Sequence, residues 1–143
     1  MIQRIQSIYL FLAAAAAGAM FALPIATTAE AQADSAVFAD AAFEVQDTMA
    51  MMVAFGLAAL LLLVIIFLYS NRTLQMNLTK VGLFVTGVGV GVGAYQFFND
   101  AAADLAQPAV GIALPILVVA FSYLALRNIR KDERLVRSVD RLR

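Results

Sequence analysis

"GLAALLLLVIIFLY" occupies residues Gly56 to Tyr69 and contains no charged residue and, before its final tyrosine, no polar side chain. The apolar run extends back to Met49, which gives it the length of about 20 helical residues that a bilayer crossing requires. Helices and closed barrels are the structures that satisfy every backbone hydrogen bond inside a membrane. Barrel strands alternate apolar and polar residues, and this stretch does not. The sequence therefore predicts a membrane-spanning helix over residues 49–69.

Three further segments share this apolar character, at about residues 5–24, 81–98 and 108–127. The chain has 143 residues, of which 63% are hydrophobic and 14% are charged. Average soluble domains contain about 25% charged residues. We therefore predict one all-α membrane domain over residues 1–143, a bundle of four transmembrane helices. Pro115 is expected to bend the fourth helix, because proline removes a backbone hydrogen bond.

The charges segregate between the connections. All ten lysines and arginines lie before the first segment, in the polar hairpin of residues 70–80, or from Arg127 through the tail of residues 128–143. The loop of residues 25–48 and the connection after the third segment hold seven of the ten acidic residues and no basic one. Lysine and arginine are retained in the cytoplasm. We therefore expect both termini in the cytoplasm and an acidic, solvated outer loop on the exported side.

The first segment has a second interpretation as a signal peptide. "ALPIATTAEAQA" (Ala22 to Ala33) has the small residues of a signal-peptidase site, and Arg4 supplies a positive charge before the apolar run. The apolar run is nearer 20 residues than the roughly 7–15 of a signal core. An uncleaved membrane anchor is the favoured interpretation, and cleavage is the alternative.

A glycine repeat marks the third segment, "TGVGVGVGA" from Thr86 to Ala94. Two pairs, Gly87/Gly91 and Gly89/Gly93, have the four-residue spacing that lets helix backbones approach closely. A phosphate-binding loop would need a following Lys-Ser/Thr pair and a preceding strand, which this segment lacks. We predict that all four glycines pack against other helices. The alternative is a conduction path or a backbone-lined binding site.

The tail combines an apolar stripe with a basic face. The stripe is formed by Leu135, Val139 and Leu142, and the basic residues are Arg130, Arg134, Arg137 and Arg141. This pattern predicts a short amphipathic basic helix that binds anionic lipid headgroups or a partner protein. The alternative is a solvated charge cluster that only fixes topology. No aromatic residue interleaves with these charges, so nucleic-acid binding is not expected.

The chain contains no cysteine and no histidine, and its apolar segments contain no charged residue within membrane depth. The commonest metal ligand and general base are therefore missing. Proton-coupled carriers rely on buried charges of the kind that these segments lack. We expect no catalytic activity, no cofactor and no metal.

Three stretches resemble a known family: "MIQRIQSIYLFLA" at residues 1–13, "NRTLQMNL" at 71–78 and "YLALRNIRKDERLVRSVDRLR" at 123–143. The family consists of small bacterial inner-membrane proteins described only as a domain of unknown function. The resemblance covers the chain in length and order and is most specific at the termini. It implies four helices and a multi-pass location in the bacterial inner membrane, and it implies no activity.

These observations together favour a non-catalytic accessory, scaffold or assembly component of a membrane complex. Its partners would be the lipid bilayer, other membrane proteins or further copies of itself. The alternative is a small homo-oligomeric channel or carrier with glycine-lined helices. The helix that packs on the glycine face distinguishes these two hypotheses. If that helix belongs to the same chain, no pore remains, whereas an exposed glycine face favours oligomerisation.

Overall fold

The computed structural model describes the backbone of residues 3–140 and the side chains of residues 5–136. Four α-helices make up most of this described part of the chain: α1 (Gln3–Ala19), α2 (Met49–Ile65), α3 (Arg72–Asn99) and α4 (Leu114–Asp140). The helices form a ring in which α1 packs on α2 and α4, and α3 packs on α2. The contact between α3 and α4 is the least extensive of the four.

Three helical segments are long and apolar enough to cross a membrane, over Met49–Leu68, Arg72–Asn99 and Val110–Val136. The first helix is shorter, with 17 residues and a length of about 25 Å. It ends at Ala19, before the predicted boundary at residue 24. Two backbone hydrogen bonds with three-residue spacing then tighten the chain, from Phe21 N to the Gly18 carbonyl and from Ala22 N to the Ala19 carbonyl.

Each helix buries one stripe of residues at spacings of four and three. These are Gln6, Leu10, Ala13 and Ala17 in α1; Met51, Phe55, Ala58, Leu62 and Ile65 in α2; Gln75, Thr79, Gly82, Thr86, Gly89 and Gly93 in α3; and Leu114, Val118, Ser122, Ala125, Ile129 and Asp132 in α4. A repeat of seven residues over two turns keeps one face toward the neighbouring helices and favours a left-handed bundle.

The stripe of α3 reverses the usual arrangement of a soluble helix. Its buried positions are glutamine, threonine and glycine, whereas Phe84 and Tyr95 point outward with 73% and 72% of their surface exposed. A helix in water would bury the aromatic rings. In lipid, small residues bring helix backbones together and large apolar residues face the acyl chains. The arrangement of α3 therefore fits a hydrocarbon environment.

The third helix begins nine residues before the predicted boundary at residue 81. The Asn71 side chain accepts a hydrogen bond from Leu74 N at 3.0 Å and caps the helix, so α3 starts at Arg72. The predicted hairpin over residues 70–80 is therefore wrong. Its polar residues belong to α3 because Gln75 turns inward and donates to the Ile65 carbonyl at 3.1 Å.

The fourth helix also differs from its predicted bounds of 108–127. A 3₁₀ turn over Val110–Ala113 precedes it, and α4 then runs without interruption from Leu114 to Asp140. The residues of the predicted tail helix, as far as Asp140, therefore belong to α4. Pro115 is the second residue of α4, where backbone N–H groups have no partner within the helix. It therefore interrupts no hydrogen bond, and the predicted reason for a bend does not apply.

The two acidic connections form an ordered cap on one end of the bundle, which we define as residues 24–47 and 100–113. It contains three two-residue strands, β1 (Ala26–Thr27), β2 (Ala42–Phe43) and β3 (Gln107–Pro108), in the antiparallel order β2-β1-β3. The expectation of a solvated loop was wrong for its apolar residues. Phe38, Phe43 and Val45 are buried in the core beside Met51 and Phe55 of α2.

Asp100 forms hydrogen bonds that join the two segments of the cap, residues 24–47 and 100–113. Its carboxylate accepts hydrogen bonds from the Ser35 hydroxyl at 2.7 Å, from Ala102 N at 2.9 Å, from Ala36 N at 3.1 Å and from Val37 N at 3.4 Å. Burial alone would raise the pKa of this carboxyl group, but these hydrogen bonds outweigh it and lower the pKa. The charged form therefore holds the loop of residues 35–38 against the end of α3.

Candidate functional site

The four glycines of the repeat lie on two opposite faces of α3. A Cβ atom placed on Gly89 would lie 2.9 Å from Cε2 of Phe55, and one on Gly93 would lie 3.0 Å from Cε of Met51. A Cβ on Gly87 or Gly91 would have no atom within 4 Å. Gly89 and Gly93 therefore contact α2, whereas Gly87 and Gly91 have open space beside them, and their packing against a helix of another molecule stays a prediction. Residues two positions apart differ by about 200° around a helix, so alternate glycines cannot share a face.

The packed glycines belong to a series in which large residues of α2 meet small residues of α3. Leu62 faces Gly82, with Cδ2 3.4 Å from a Cβ placed there, while Phe55 faces Gly89 and Met51 faces Gly93. Gly82 lies outside the glycine repeat and was not singled out from the sequence. The spacing of 82, 89 and 93 along the buried stripe is the signal that would have identified it.

An apolar cavity of about 380 Å³ lies beneath the cap, between α3 and α4. Its inner wall is formed by Phe43, Met51 and Phe55, and its base is formed by Gly89 and Gly93. The space that side chains at these two glycines would need is filled by Phe55 and Met51, so the glycines contribute backbone atoms to the cavity wall. This site was not predicted from the sequence, because its walls come from segments distant in the chain.

The cavity opens on the outer surface of the bundle where α3 and α4 pack least extensively. Phe98 and Ile116 line it and are 78% and 69% exposed. Pro115 forms the adjoining part of the α4 wall, and Ala94 forms part of the α3 wall. All side chains that line the cavity in the described part of the chain are apolar. The opening is therefore continuous with the apolar exterior of the helices.

A second site is a basic groove of about 580 Å³ at the opposite end of α4. We define the basic groove by the residues that line it: Tyr123, Leu126, Arg127, Arg130, Lys131, Arg134 and Leu135. Its four cationic residues are exposed, and they follow one face of α4 at spacings of three, one and three. Tyr123, 61% exposed, lies at the apolar end of this face. The groove offers several cations beside an aromatic ring and two leucines.

Three of the residues predicted for the tail fall within the basic groove, namely Arg130, Arg134 and Leu135. Leu135 is half exposed next to the cations rather than on the buried stripe, which continues through Asp132. The side chains of Arg137 and Val139 lie outside the described residues, as do Arg141 and Leu142 entirely. The predicted apolar stripe is thus described only at Leu135.

A buried polar pair joins α1 and α3 near the basic end. Gln6 donates from Nε2 to Oε1 of Gln75 at 3.4 Å, and Gln75 in turn donates to the Ile65 carbonyl. Both glutamine side chains are fully buried. An amide pair inside a helix bundle fixes which helices meet and in which register, because an unpaired amide in an apolar interior is costly.

The comparisons with known proteins give one match. The sequence profile of the family described as a domain of unknown function (DUF4293) matches residues 2–142. No curated protein and no solved structure matches the chain. The family match confirms the resemblance drawn from the termini and the middle stretch, and it extends over nearly all of the sequence. The chain belongs to the DUF4293 family, a domain of unknown function.

Proposed function

We propose that this protein is a non-catalytic accessory component of the bacterial inner membrane, which crosses the bilayer four times and docks through its basic groove. The single observation that carries the proposal is the position of that groove. Four exposed cations lie on the end of α4, directly beyond an apolar face long enough to cross the membrane. Anionic lipid headgroups, or an acidic surface of a neighbouring membrane protein, are the partners of matching charge.

The orientation follows from the distribution of charge between the two ends of the bundle. Arg72, Arg127, Arg130 and Arg134 lie at the end where α3 begins and α4 finishes, whereas the cap contains no lysine or arginine. The positive-inside rule assigns the first end to the cytoplasm and the cap to the exported side. Lys80, two turns into α3, is exposed and is long enough to extend its amine toward the headgroups.

Neutralising the groove is expected to free the end of α4 without changing membrane insertion. Each basic residue near an anionic surface contributes about 1 kcal/mol. Replacing Arg130 and Arg134 by glutamine should therefore raise the rate of proteolysis at the end of α4 by about 30-fold in membrane vesicles. The protease must cleave after leucine or aromatic residues. A protease that cleaves after arginine would lose two of its sites in the variant, and the rates could not be compared. Proteins that co-purify in mild detergent should be lost in parallel.

The matched control is the double variant Arg72→Gln and Lys80→Gln, which removes two charges from the same end of the bundle but outside the groove. This control should keep the parent's cleavage rate. Equal rates for the parent and both double variants would identify the groove as a solvated charge cluster, and the docking proposal would fail.

The second candidate is a small homo-oligomeric channel or carrier. The observation in its favour is the outward face of α3, where Gly87 and Gly91 have open space beside exposed Phe84 and Val88. A second copy packed there would approach the α3 backbone closely. The mass of the protein in mild detergent separates the candidates, because a channel requires a defined oligomer that leucine at Gly87 and Gly91 disrupts.

A further inference from the structure

We propose that the apolar cavity beneath the cap binds one acyl chain of a phospholipid whose headgroup has no net charge. This inference rests on the membrane location in the proposed function, but it does not depend on the basic groove or on any partner protein. The cavity and the groove lie at opposite ends of α4. They therefore contact different leaflets when the helix crosses the bilayer.

The lining determines the chemical class of the ligand. Phe43, Met51, Phe55 and Ile116 supply rings, a thioether and a branched alkyl group, and none of the lining side chains within the described residues carries a hydrogen-bonding group. A buried water needs two to four polar partners, so water is disfavoured in such a space. An empty space would forfeit the dispersion contacts of every group around it. A hydrocarbon ligand satisfies both conditions.

The volume agrees with part of a lipid chain. An apolar cavity of about 150 Å³ is large enough to bind benzene, and binding pockets for small molecules range over about 300–1,000 Å³. The cavity of about 380 Å³ therefore holds more than one ring-sized group. A single flexible chain can enter such a space from its opening and adapt to the walls that α3 and α4 supply.

The depth of the cavity matches a lipid chain in the adjacent leaflet. Gly93 and Gly89 lie six and ten residues before the end of α3 at Asn99, which places them about 9 and 15 Å along the helix axis. Half of the hydrocarbon core is about 15 Å thick. The cavity thus extends from the cap toward the bilayer centre, along the path of an acyl chain.

The surface around the opening indicates which class of phospholipid supplies the acyl chain. Phe98 and Ile116 at the mouth face the exterior, which is hydrocarbon where the helices cross the membrane. The cap supplies Ala106, Pro108 and Ile112 to the cavity, and it contains exposed acidic residues and no lysine or arginine. An anionic headgroup would find no cation in the cap and would be repelled. A zwitterionic headgroup brings an ammonium group of the sign that the acidic cap attracts and is therefore the matching choice.

The test is lipid retention by the full chain, measured by native mass spectrometry from mild detergent with defined zwitterionic and anionic phospholipids added. The parent should retain one zwitterionic lipid per chain. Ala94→Phe places a ring in the cavity and should lower the lipid-bound fraction by about tenfold. The matched control is Ala120→Phe, which adds the same ring on the exposed surface of α4 and should retain lipid as the parent does.

A second filling variant protects the test from misfolding. Ala106→Phe fills the cavity from the cap rather than from α3, and the helical content and thermal midpoint of each variant show whether it folds. A folded variant from either position that retains the parent's lipid would overturn the proposal. So would a parent that retains no lipid, a preference for anionic lipid, or a second copy of the chain in place of lipid.

Extraction distinguishes this proposal from the membrane location on which it rests. Alkaline carbonate removes peripheral proteins from membranes and leaves embedded ones. A parent chain that stays in the membrane but retains no lipid refutes only the cavity proposal. A chain released without detergent refutes the membrane location as well.

Discussion

Leucine in place of Gly89 is expected to lower the unfolding free energy of the protein in detergent by about 1–3 kcal/mol, the usual cost of overpacking a core. The Phe55 ring is 1% exposed and lies 2.9 Å from the new atom, and the Cβ of Ala54 lies 3.2 Å from it. The two helices must therefore separate or Phe55 must take a strained rotamer. The thermal midpoint, followed by the helical circular dichroism signal, measures the loss.

The neighbouring glycines provide matched controls for this prediction. Leucine at Gly91 meets no atom within 4 Å and should leave the midpoint unchanged or raise it, since leucine favours a helix more than glycine does. Leucine at Gly93 should lower the thermal midpoint by an amount between those of the Gly89 and Gly91 variants. The atom that it meets first is the flexible end of Met51. An equal effect at Gly89 and Gly91 would show that α3 does not present this face to α2.

Alanine in place of Gly111 is expected to cost roughly 3 kcal/mol, although it adds a single methyl group. A Cβ at this position would clash with the Pro24 carbonyl oxygen and would lie 2.7 Å from that of Leu23. These are backbone atoms, so no side-chain rotation relieves the clash. Gly111 N also donates to the Pro24 carbonyl at 2.9 Å. Movement of the backbone away from the added methyl group would weaken this hydrogen bond. The thermal midpoint should fall accordingly.

Gly18→Ala is the matched control for Gly111→Ala. A Cβ at Gly18 has no atom within 4 Å, and the residue lies inside α1. Alanine there should stabilise the protein by up to about 1 kcal/mol through helix propensity. A tolerated alanine at Gly111 would mean that the cap does not join the end of α1 to the start of α4 in the way described.

The sequence was most informative where one physical requirement dominates. Crossing a bilayer demands a long apolar run, and the second helix was accordingly predicted over residues 49–69 and found over Met49–Ile65 with a 3₁₀ turn to Leu68. The start of α3 was missed because polarity was taken as evidence for a loop. Gln75 and Thr79 are polar residues of a buried stripe, and their spacing to Gly82 and Thr86 follows the same repeat.

The cap and the cavity depend on contacts that no local pattern contains. Phe38 and Phe43 stand out as aromatic residues in a small and acidic segment, which was a signal for burial, but their partner Phe97 is distant in sequence. The glycine repeat places Gly89 and Gly93 against α2 and leaves open space beside Gly87 and Gly91. Its division into a packed face and an open face required knowing where α2 lies.

The central claim is that the chain crosses the membrane four times with its basic end in the cytoplasm. The protein contains no cysteine, so single cysteines can be introduced into an otherwise unreactive chain. Glu30 and Asp104 are exposed positions of the cap, and Thr73 and Arg134 are exposed positions of the other end. A cysteine at Gln3 reports on the N-terminal side of α1.

The direct measurement is labelling of these five cysteine variants with a membrane-impermeant maleimide, in intact spheroplasts and after the membrane is opened. If the bundle crosses the membrane with its cap on the exported side, cysteines at Glu30 and Asp104 should react in intact spheroplasts. Cysteines at Gln3, Thr73 and Arg134 should react only after the membrane is opened. Reaction at Gln3 in intact spheroplasts would show that α1 does not cross, and reaction at Arg134 would contradict the orientation of the whole bundle.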